Sequence, residues 1–297
     1  MRIGYFGDGP WAHNALEMLN NRDDIKIVFV CGRFKNTDKV LEKKAQDLGI
    51  EFFTEKNINT PNFFEKINIY KVDLLVSMSF NQIFKKLIYE IPKYGTINCH
   101  AGKLPLYRGR NVLNWVLIND EKEFGITVHF VNDGIDTGDI IMQETFEITE
   151  SDSYKTLLEK AYKECPEILL RSILKIINND INVIPQKKIS DSFMYCSKRE
   201  VGDEIINWDS NSRDIFNFIR ALTYPGPCAA SFINNQKIKI IKASLIKNAP
   251  EYIGIPGCII EVKKDSFLIK TKDSYLKILE WETSQPLRIG LRLKKEV

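Results

Sequence analysis

The chain opens with Met1-Arg-Ile-Gly-Tyr-Phe-Gly7, an apolar run that breaks at Asp8-Gly-Pro10 and resumes as Trp11-Ala-His-Asn-Ala-Leu-Glu-Met-Leu19. Arg2 to Phe6 reads as a buried strand and Ala12 to Leu19 as the helix that follows it. The same grammar recurs to about residue 140: Ile25 to Val30, Asp73 to Ser77, Gly95 to Cys99, Thr127 to Val131 and Ile140 to Ile148 are strand candidates, and Thr37 to Leu48 is a second helix. Short β-branched runs alternating with helices predict an α/β fold, a parallel sheet covered by helices. Phe6-Gly-Asp-Gly9-Pro-Trp11 lacks the full GxGxxG spacing, so NAD binding is not expected.

Downstream the pattern changes. Ser151 to about Asn178 reads as helical, with Pro166 expected to kink it or start a new helix, because proline lacks the amide that the ladder needs. Ile215, Phe218, Ile219 and Leu222 mark a further helix, ended by Pro225-Gly226 and expected to bridge two domains. From Ala229, short alternating segments (Lys237 to Ile241, Gly257 to Val262, Ser266 to Lys270, Tyr275 to Leu279) predict a small β-barrel. The expected organisation is a catalytic domain over 1–180, a linker with the bridging helix over 181–228, and a barrel over 229–297.

Composition narrows the function. A chain of 297 residues with 42 Lys and Arg against 39 Asp and Glu carries a net charge of +3. That balance calls for neither a nucleic-acid nor a membrane partner. Six scattered cysteines without CxxC spacing favour free thiols in a cytoplasmic protein and argue against a metal site. No signal-peptide pattern or membrane-length apolar run is present. Oligomeric state is left open, a homo-oligomer included.

Chemistry concentrates in two stretches. In Thr96-Ile97-Asn98-Cys99-His100 an apolar strand ends with Asn98 and His100 on one face, Cys99 pointing to the other. Asn132-Asp-Gly-Ile-Asp136-Thr-Gly-Asp139 follows another strand and offers three carboxylates. Asp133 and Asp139 suit the turns they occupy. Asp136 becomes chemically interesting if it lies beside His100, since a carboxylate fixes an imidazole's tautomer and raises its basicity.

Asn-x-His followed by Leu-Pro and Arg-Gly, then Gly-Ile-Asp136-Thr-Gly-Asp, resembles the N10-formyltetrahydrofolate-dependent formyltransferases over nearly the whole chain. Within that family, Tyr107-Arg108-Gly109-Arg110-Asn111-Val-Leu-Asn114-Trp115 is most similar to the sugar enzymes, such as the formyltransferase half of the bifunctional UDP-4-amino-arabinose enzyme. The resemblance implies a Rossmann-like domain followed by an OB-like C-terminal barrel. It also implies a catalytic Asn98, His100 and Asp136, N10-formyltetrahydrofolate as co-substrate, and no metal.

Met78, Phe80, Asn81, Gln82, Ile83, Asn132 and Gly134 would hold the folate. Lys103, Arg108, Gly109, Arg110, Asn114 and Trp11 would line the pocket of a nucleotide-linked amino sugar, although packing is the plainer role for Trp11. The implied pathway is surface-glycan biosynthesis, lipopolysaccharide included. His100 is followed by Ala-Gly-Lys where the family often has Pro-Ser-Leu or Gly-Ser-Leu, a departure that bears on the acceptor pocket.

Methionyl-tRNA formyltransferase is the alternative. Residues 233–297 hold 13 Lys and Arg against 7 Asp and Glu, an excess suited to RNA phosphates. Against it, Cys31-Gly-Arg-Phe-Lys-Asn-Thr-Asp38 is short where the tRNA enzymes carry a longer basic loop. A non-catalytic nucleotide- or RNA-binding module would leave Asn98, His100 and Asp136 unexplained.

Overall fold

The computed structural model describes residues 1–295. In chain order the elements are β1 (Arg2–Gly7), α1 (Gly9–Asn20), β2 (Lys26–Gly32), α2 (Lys39–Asp47), β3 (Phe52–Thr54), α3 (Pro61–Asn68), β4 (Leu74–Met78), α4 (Lys86–Tyr89), β5 (Thr96–His100), β6 (Arg108–Gly109), α5 (Val112–Ile118), β7 (Glu123–Phe130), β8 (Ile140–Glu147), α6 (Tyr154–Ile177), β9 (Tyr195–Cys196), α7 (Ser212–Leu222), β10 (Ala229–Ile233), β11 (Gln236–Ser244), β12 (Ile259–Val262), β13 (Phe267–Lys270) and β14 (Tyr275–Glu282). They group into two compact units. One holds Met1–Gly109, Phe124–Phe146 and Glu159–Cys196; the other holds Arg110–Glu123, Glu147–Leu158 and the chain from Ser197 onward.

The first unit is built on a seven-stranded sheet in the order β3-β2-β1-β4-β5-β7-β8. The strands from β3 to β5 run parallel, and β7 enters antiparallel to β5. This is the Rossmann-like α/β architecture that the sequence predicts. All five residues of β4 are buried, as helices on both faces of a parallel sheet require. The helices start where side chains satisfy their free amides: Asp38 accepts from Val40 and Leu41 at the head of α2, and Thr60 accepts from Phe63 just before Pro61 in α3. Several elements went unpredicted, β3, α3 and α5 among them. β3 has too few residues to show alternation, α3 follows a polar stretch, and α5 is apolar on nearly every side.

Pro166 does not start a new helix, since α6 runs from Tyr154 to Ile177 with the proline inside it. The amide that proline lacks would have bonded the carbonyl four residues back, at Tyr162. That carbonyl accepts instead from Asn14 Nδ2 at 3.2 Å, so the lost bond is replaced from α1.

The second unit carries a five-stranded antiparallel sheet in the order β10-β11-β14-β13-β12. Its edges meet through the C-terminal segment: Arg292 bridges to Cys258 beside β12, and Lys294 to Phe232 of β10. One segment thus joins the two edge strands of the sheet. The helix expected to bridge two domains, α7, is built into this unit's core, where Ile215, Ile219 and Leu222 pack with Ile233, Ile238, Ile240, Phe267 and Ile278.

On α7, Arg213 binds Asp120 through Nε at 3.0 Å and through Nη2, and Glu150 through Nη1 at 2.6 Å. The Arg213 hydrogen bond outweighs partial burial and pulls the Asp120 carboxyl down to about 2. The stability this lends is therefore complete above the ordinary carboxyl value, about 3.9, and is lost as pH falls through about 2. Asp120→Asn is expected to lower the urea midpoint of this unit at neutral pH and to flatten its acid limb. A variant whose midpoint falls with acid as steeply as the wild type would refute the assignment.

Candidate functional site

The site lies on β5 and the two chain segments that fold against it. Register decides its membership: Asn98 lies directly opposite His129 of β7, and His100 opposite Thr127. Paired residues on neighbouring strands present their side chains to one face. Asn98, His100 and His129 therefore share a face, and Asp136 joins them from the turn after β7. Cys99 faces the other way, its Sγ donating to the Cys165 carbonyl at 3.7 Å. Of the three carboxylates in that turn, Asp136 alone turns inward. Asp133 is exposed and accepts from Tyr89 Oη at 2.9 Å, and Asp139 is exposed, its carbonyl accepting from the Phe130 amide.

Asp136 Oδ2 accepts from the Gly109 amide at 2.9 Å and stands 3.7 Å from His100 Nδ1. Its Oδ1 stands 3.4 Å from His129 Nε2 and 3.5 Å from Asn98 Nδ2. Burial pushes the carboxyl's pKa up, but the charge of His100, the bond and charge of His129 and the Gly109 amide together outweigh it. The group is held well below the usual carboxylate range. It is an anion at any working pH.

Backbone carbonyls set the tautomers. His100 Nε2 meets the Tyr107 carbonyl at 2.7 Å, so it carries hydrogen, and the free lone pair of the neutral ring is at Nδ1, facing Asp136. His129 Nδ1 meets the Phe130 carbonyl at 2.7 Å, so its Nε2 faces Asn98 and Asp136. Two glycines make this geometry fit. A Cβ on Gly102 would sit 2.4 Å from His100 Nε2 and 2.6 Å from the Tyr107 oxygen, inside that hydrogen bond. Gly109 has φ +96°, and a Cβ there would meet the Cys196 carbonyl at 2.5 Å, where β6 pairs with β9.

His129 was missed in the sequence. The signal was there: Thr127 and His129 alternate on a strand that leads straight into the Asp136 turn. Only the pairing of β7 with β5 shows where that strand points.

Other expected contacts are redistributed. Asn114 is buried and its amide donates to the Ala221 carbonyl at 2.5 Å, a tie between α5 and α7, not a surface offered to ligand. Trp11 packs edge-on against Tyr162 and donates to the Asp8 carbonyl, which is the packing role. Gly109 acts through its amide on Asp136. Lys103 is half-buried against Gly125, and Arg110 is exposed in the second unit. Arg108 is half-buried in β6, with its guanidinium beside the exposed rings of Phe193 and Tyr195 at 5.2 and 5.8 Å.

In the loop after β4, Met78 is buried and Phe80 packs on Phe6 and Phe84. Gln82 is tied to the backbone of Ile58 and Glu55, whereas Ile83 is exposed and Asn81 lies partway along the loop. Asn132 accepts from Gly134 and Thr137, so both Asn132 and Gly134 organise the turn that carries Asp136. Among the described residues no group of three or more His, Cys, Asp or Glu is arranged to hold a metal ion, and no helix is long and apolar enough to cross a membrane.

Residues 1–173 match the family model described as Formyl transferase, and residues 199–290 match Formyl transferase, C-terminal domain. The methionyl-tRNA formyltransferase of Alkaliphilus oremlandii (strain OhILAs) is 35% identical over 299 residues, 98% of this chain and 95% of that protein. The bifunctional polymyxin resistance protein ArnA of Wigglesworthia glossinidia brevipalpis is 36% identical over 240 residues, 80% of this chain and 36% of ArnA. The crystal structure of WlaRD, a sugar 3N-formyl transferase in the presence of dTDP and 5-N-formyl-THF, is similar with a TM-score of 0.73 and 28% identity, over 96% of this chain and 99% of that one. With both regions matched in order, and relatives aligned over nearly the full length, this chain belongs to the formyl transferase family.

Proposed function

We propose that this formyltransferase carries the formyl group of N10-formyltetrahydrofolate to the amine of a nucleotide-linked amino sugar, a UDP-linked 4-amino-4-deoxy or 4-amino-4,6-dideoxy sugar first among the candidates. The observation that carries the acceptor class is the connection between β2 and α2. It is six residues long, Arg33 to Asp38, and two of its three charged residues are tied to the first turn of the fold: Arg33 pairs with Asp8 at 3.1 Å, and Asp38 accepts from Gly9 and faces His13 at 2.6 Å, which leaves Lys35 exposed. A short loop with one exposed cation offers little to an RNA backbone. WlaRD, crystallised with a nucleotide and a formyl-folate, supports both halves of the reading.

The donor supplies an activated formyl carbon. The loop Met78 to Ile83 and the turn Asn132 to Gly134 fit it: Ile83 and Ile135 are exposed and apolar, and hydrogen bonds within the turn fix its amides. These residues would hold the folate by backbone and apolar contact. His100 takes the proton of the attacking amine at Nδ1, directly or through water, as the new N–C bond forms; the donor's C–N10 bond then breaks, N10 receives a proton, and tetrahydrofolate leaves. Asp136 faces that nitrogen as a fixed anion and stabilises the imidazolium. Asn98 Nδ2 donates to the formyl oxygen as negative charge gathers there. Its resting contacts of 3.3 and 3.5 Å are long enough for a closer oxygen to displace.

Methionyl-tRNA is the second reading, favoured by the full-length similarity to the Alkaliphilus enzyme and by the basic barrel. The deciding experiment incubates the purified chain with N10-formyltetrahydrofolate and UDP- and dTDP-linked 3-amino and 4-amino sugars, alongside methionyl-tRNA, and follows formylated product by mass spectrometry. Product on a sugar that is lost in Asn98→Ala supports the proposal. Product on methionyl-tRNA alone replaces it with the second reading.

A further inference from the structure

Gln186 stands outside the cluster of ionisable groups, yet every hydrogen-bonding position of its amide is directed at the segments that build the site. The residue is 3% exposed. Its backbone is fixed by the chain just before it, where Ile184 exchanges two hydrogen bonds of 2.9 Å with Ile140 at the start of β8. Nε2 donates to the carbonyls of Asp136 and Gly138, both at 2.8 Å. Oε1 accepts from Arg108 Nε at 3.1 Å and Nη2 at 2.6 Å. Carbonyls only accept and guanidinium only donates, so the amide has a single orientation that satisfies all four contacts.

These contacts close a ring. The Asp136 carboxylate holds the Gly109 amide, Gly109 follows Arg108 in β6, Arg108 holds Gln186, and Gln186 holds the Asp136 carbonyl. Asp136 itself has φ +52°, a left-handed conformation that a non-glycine residue keeps only where its surroundings impose it. Gln186 is the side chain that grips the carbonyl of that residue and the one two positions on.

We infer that Gln186 is a positioning residue of the formyl-transfer site, holding the Asp136 carboxylate toward His100 and coupling it to the guanidinium of Arg108. It touches none of the reacting atoms. The inference rests on the roles assigned above to His100 and Asp136. A misplacement of about 1 Å in such a group lowers turnover by up to about 10²-fold.

Two variants separate this role from simple packing. Gln186→Glu keeps size and the Arg108 contact, but sets carboxylate oxygens against the Asp136 and Gly138 carbonyls and adds a charge beside Arg108, next to the set of Asp136, His100 and His129. Gln186→Asn keeps the chemistry and shortens the reach. Both are assayed with the acceptor identified in the panel, alongside thermal unfolding. The expected result is a fall in kcat of about ten- to a hundredfold with the donor KM within about threefold of wild type. In Gln186→Glu the added charge is also expected to change the pH profile of kcat, which a packing residue would leave in place.

In an Asp136→Asn background either change costs little more, which marks coupling between the two residues. Wild-type kcat and pH profile in both variants, or failure of both to fold, overturns the inference and leaves Gln186 a packing residue. If His100→Ala remains active, the underlying reading has failed instead, and the two failures are distinct.

Discussion

His100→Ala is expected to lower kcat/KM for formyl transfer by about 10²- to 10⁴-fold, the usual contribution of a positioned base. The loss belongs in kcat, because the side chain meets a proton that leaves only as the N–C bond forms. Donor affinity, read by fluorescence titration with the folate, is expected to hold within about threefold. The reasons are geometric. His100 Nε2 is committed to the Tyr107 carbonyl and Nδ1 faces an anionic Asp136, so one lone pair is both free and electrostatically supported. Combining His100→Ala with Asn98→Ala is expected to cost far less than the product of the two effects, since base and oxyanion donor act in one transition state. Turnover of His100→Ala within about threefold of wild type would remove His100 from the mechanism.

The largest effect on stability is expected from Phe6→Ala. Phe6 is fully buried on β1 and packs edge-on against Phe29, Phe63, Phe80 and Phe84, at centroid distances of 5.7, 6.2, 5.2 and 4.9 Å. Removing the ring leaves a cavity bordered by Phe29 on β2, Phe63 on α3 and the Phe80 and Phe84 rings of the loop after β4, which are packed on one another and cannot fill it fully. The expected loss is about 3–5 kcal/mol, a large share of the total stability of an ordinary domain. Phe6→Leu refills much of the volume and is expected to lose less. Phe80 belongs to the loop assigned to the folate, so the cavity also reaches function: in Phe6→Ala the donor KM is expected to rise while the pH profile stays put. Urea unfolding gives the first quantity and donor titration the second. A variant within about 1 kcal/mol of wild type would mean that the aromatic cluster repacks freely.

Much of this could be read along the chain. Six of the seven strands of the first unit's main sheet, all but β3, appear where apolar β-branched runs predict them, within a few residues at each end, because a buried strand must be largely apolar. Asn98 and His100 were legible as a pair since alternation along a strand is a property of the strand alone. The barrel segments were legible for the same reason. The resemblance to formyltransferases rested on short motifs whose residues the fold then brings together: Asn98, His100 and Asp136, from positions 36 and 38 residues apart, share one cluster.

What the sequence did not carry depends on which backbone meets which. His129 enters the site through the antiparallel register of β7 on β5, and nothing local to Thr127-Val-His129 states that register. The tie of Asn114 to the Ala221 carbonyl follows from α5 packing against α7, because a buried amide must find a carbonyl. Pro166 did not break α6 because a neighbouring helix supplies Asn14 to the freed carbonyl. Gln186, in a polar stretch with no periodicity, becomes a four-bond tie between Asp136, Gly138 and Arg108 only when three distant segments converge. The sequence by itself determined the strands, the helices and the chemical types available at their ends, since those follow from local spacing. The tertiary structure alone decided which side chains meet, since hydrogen bonds and charges act over a few ångströms between segments far apart in the chain.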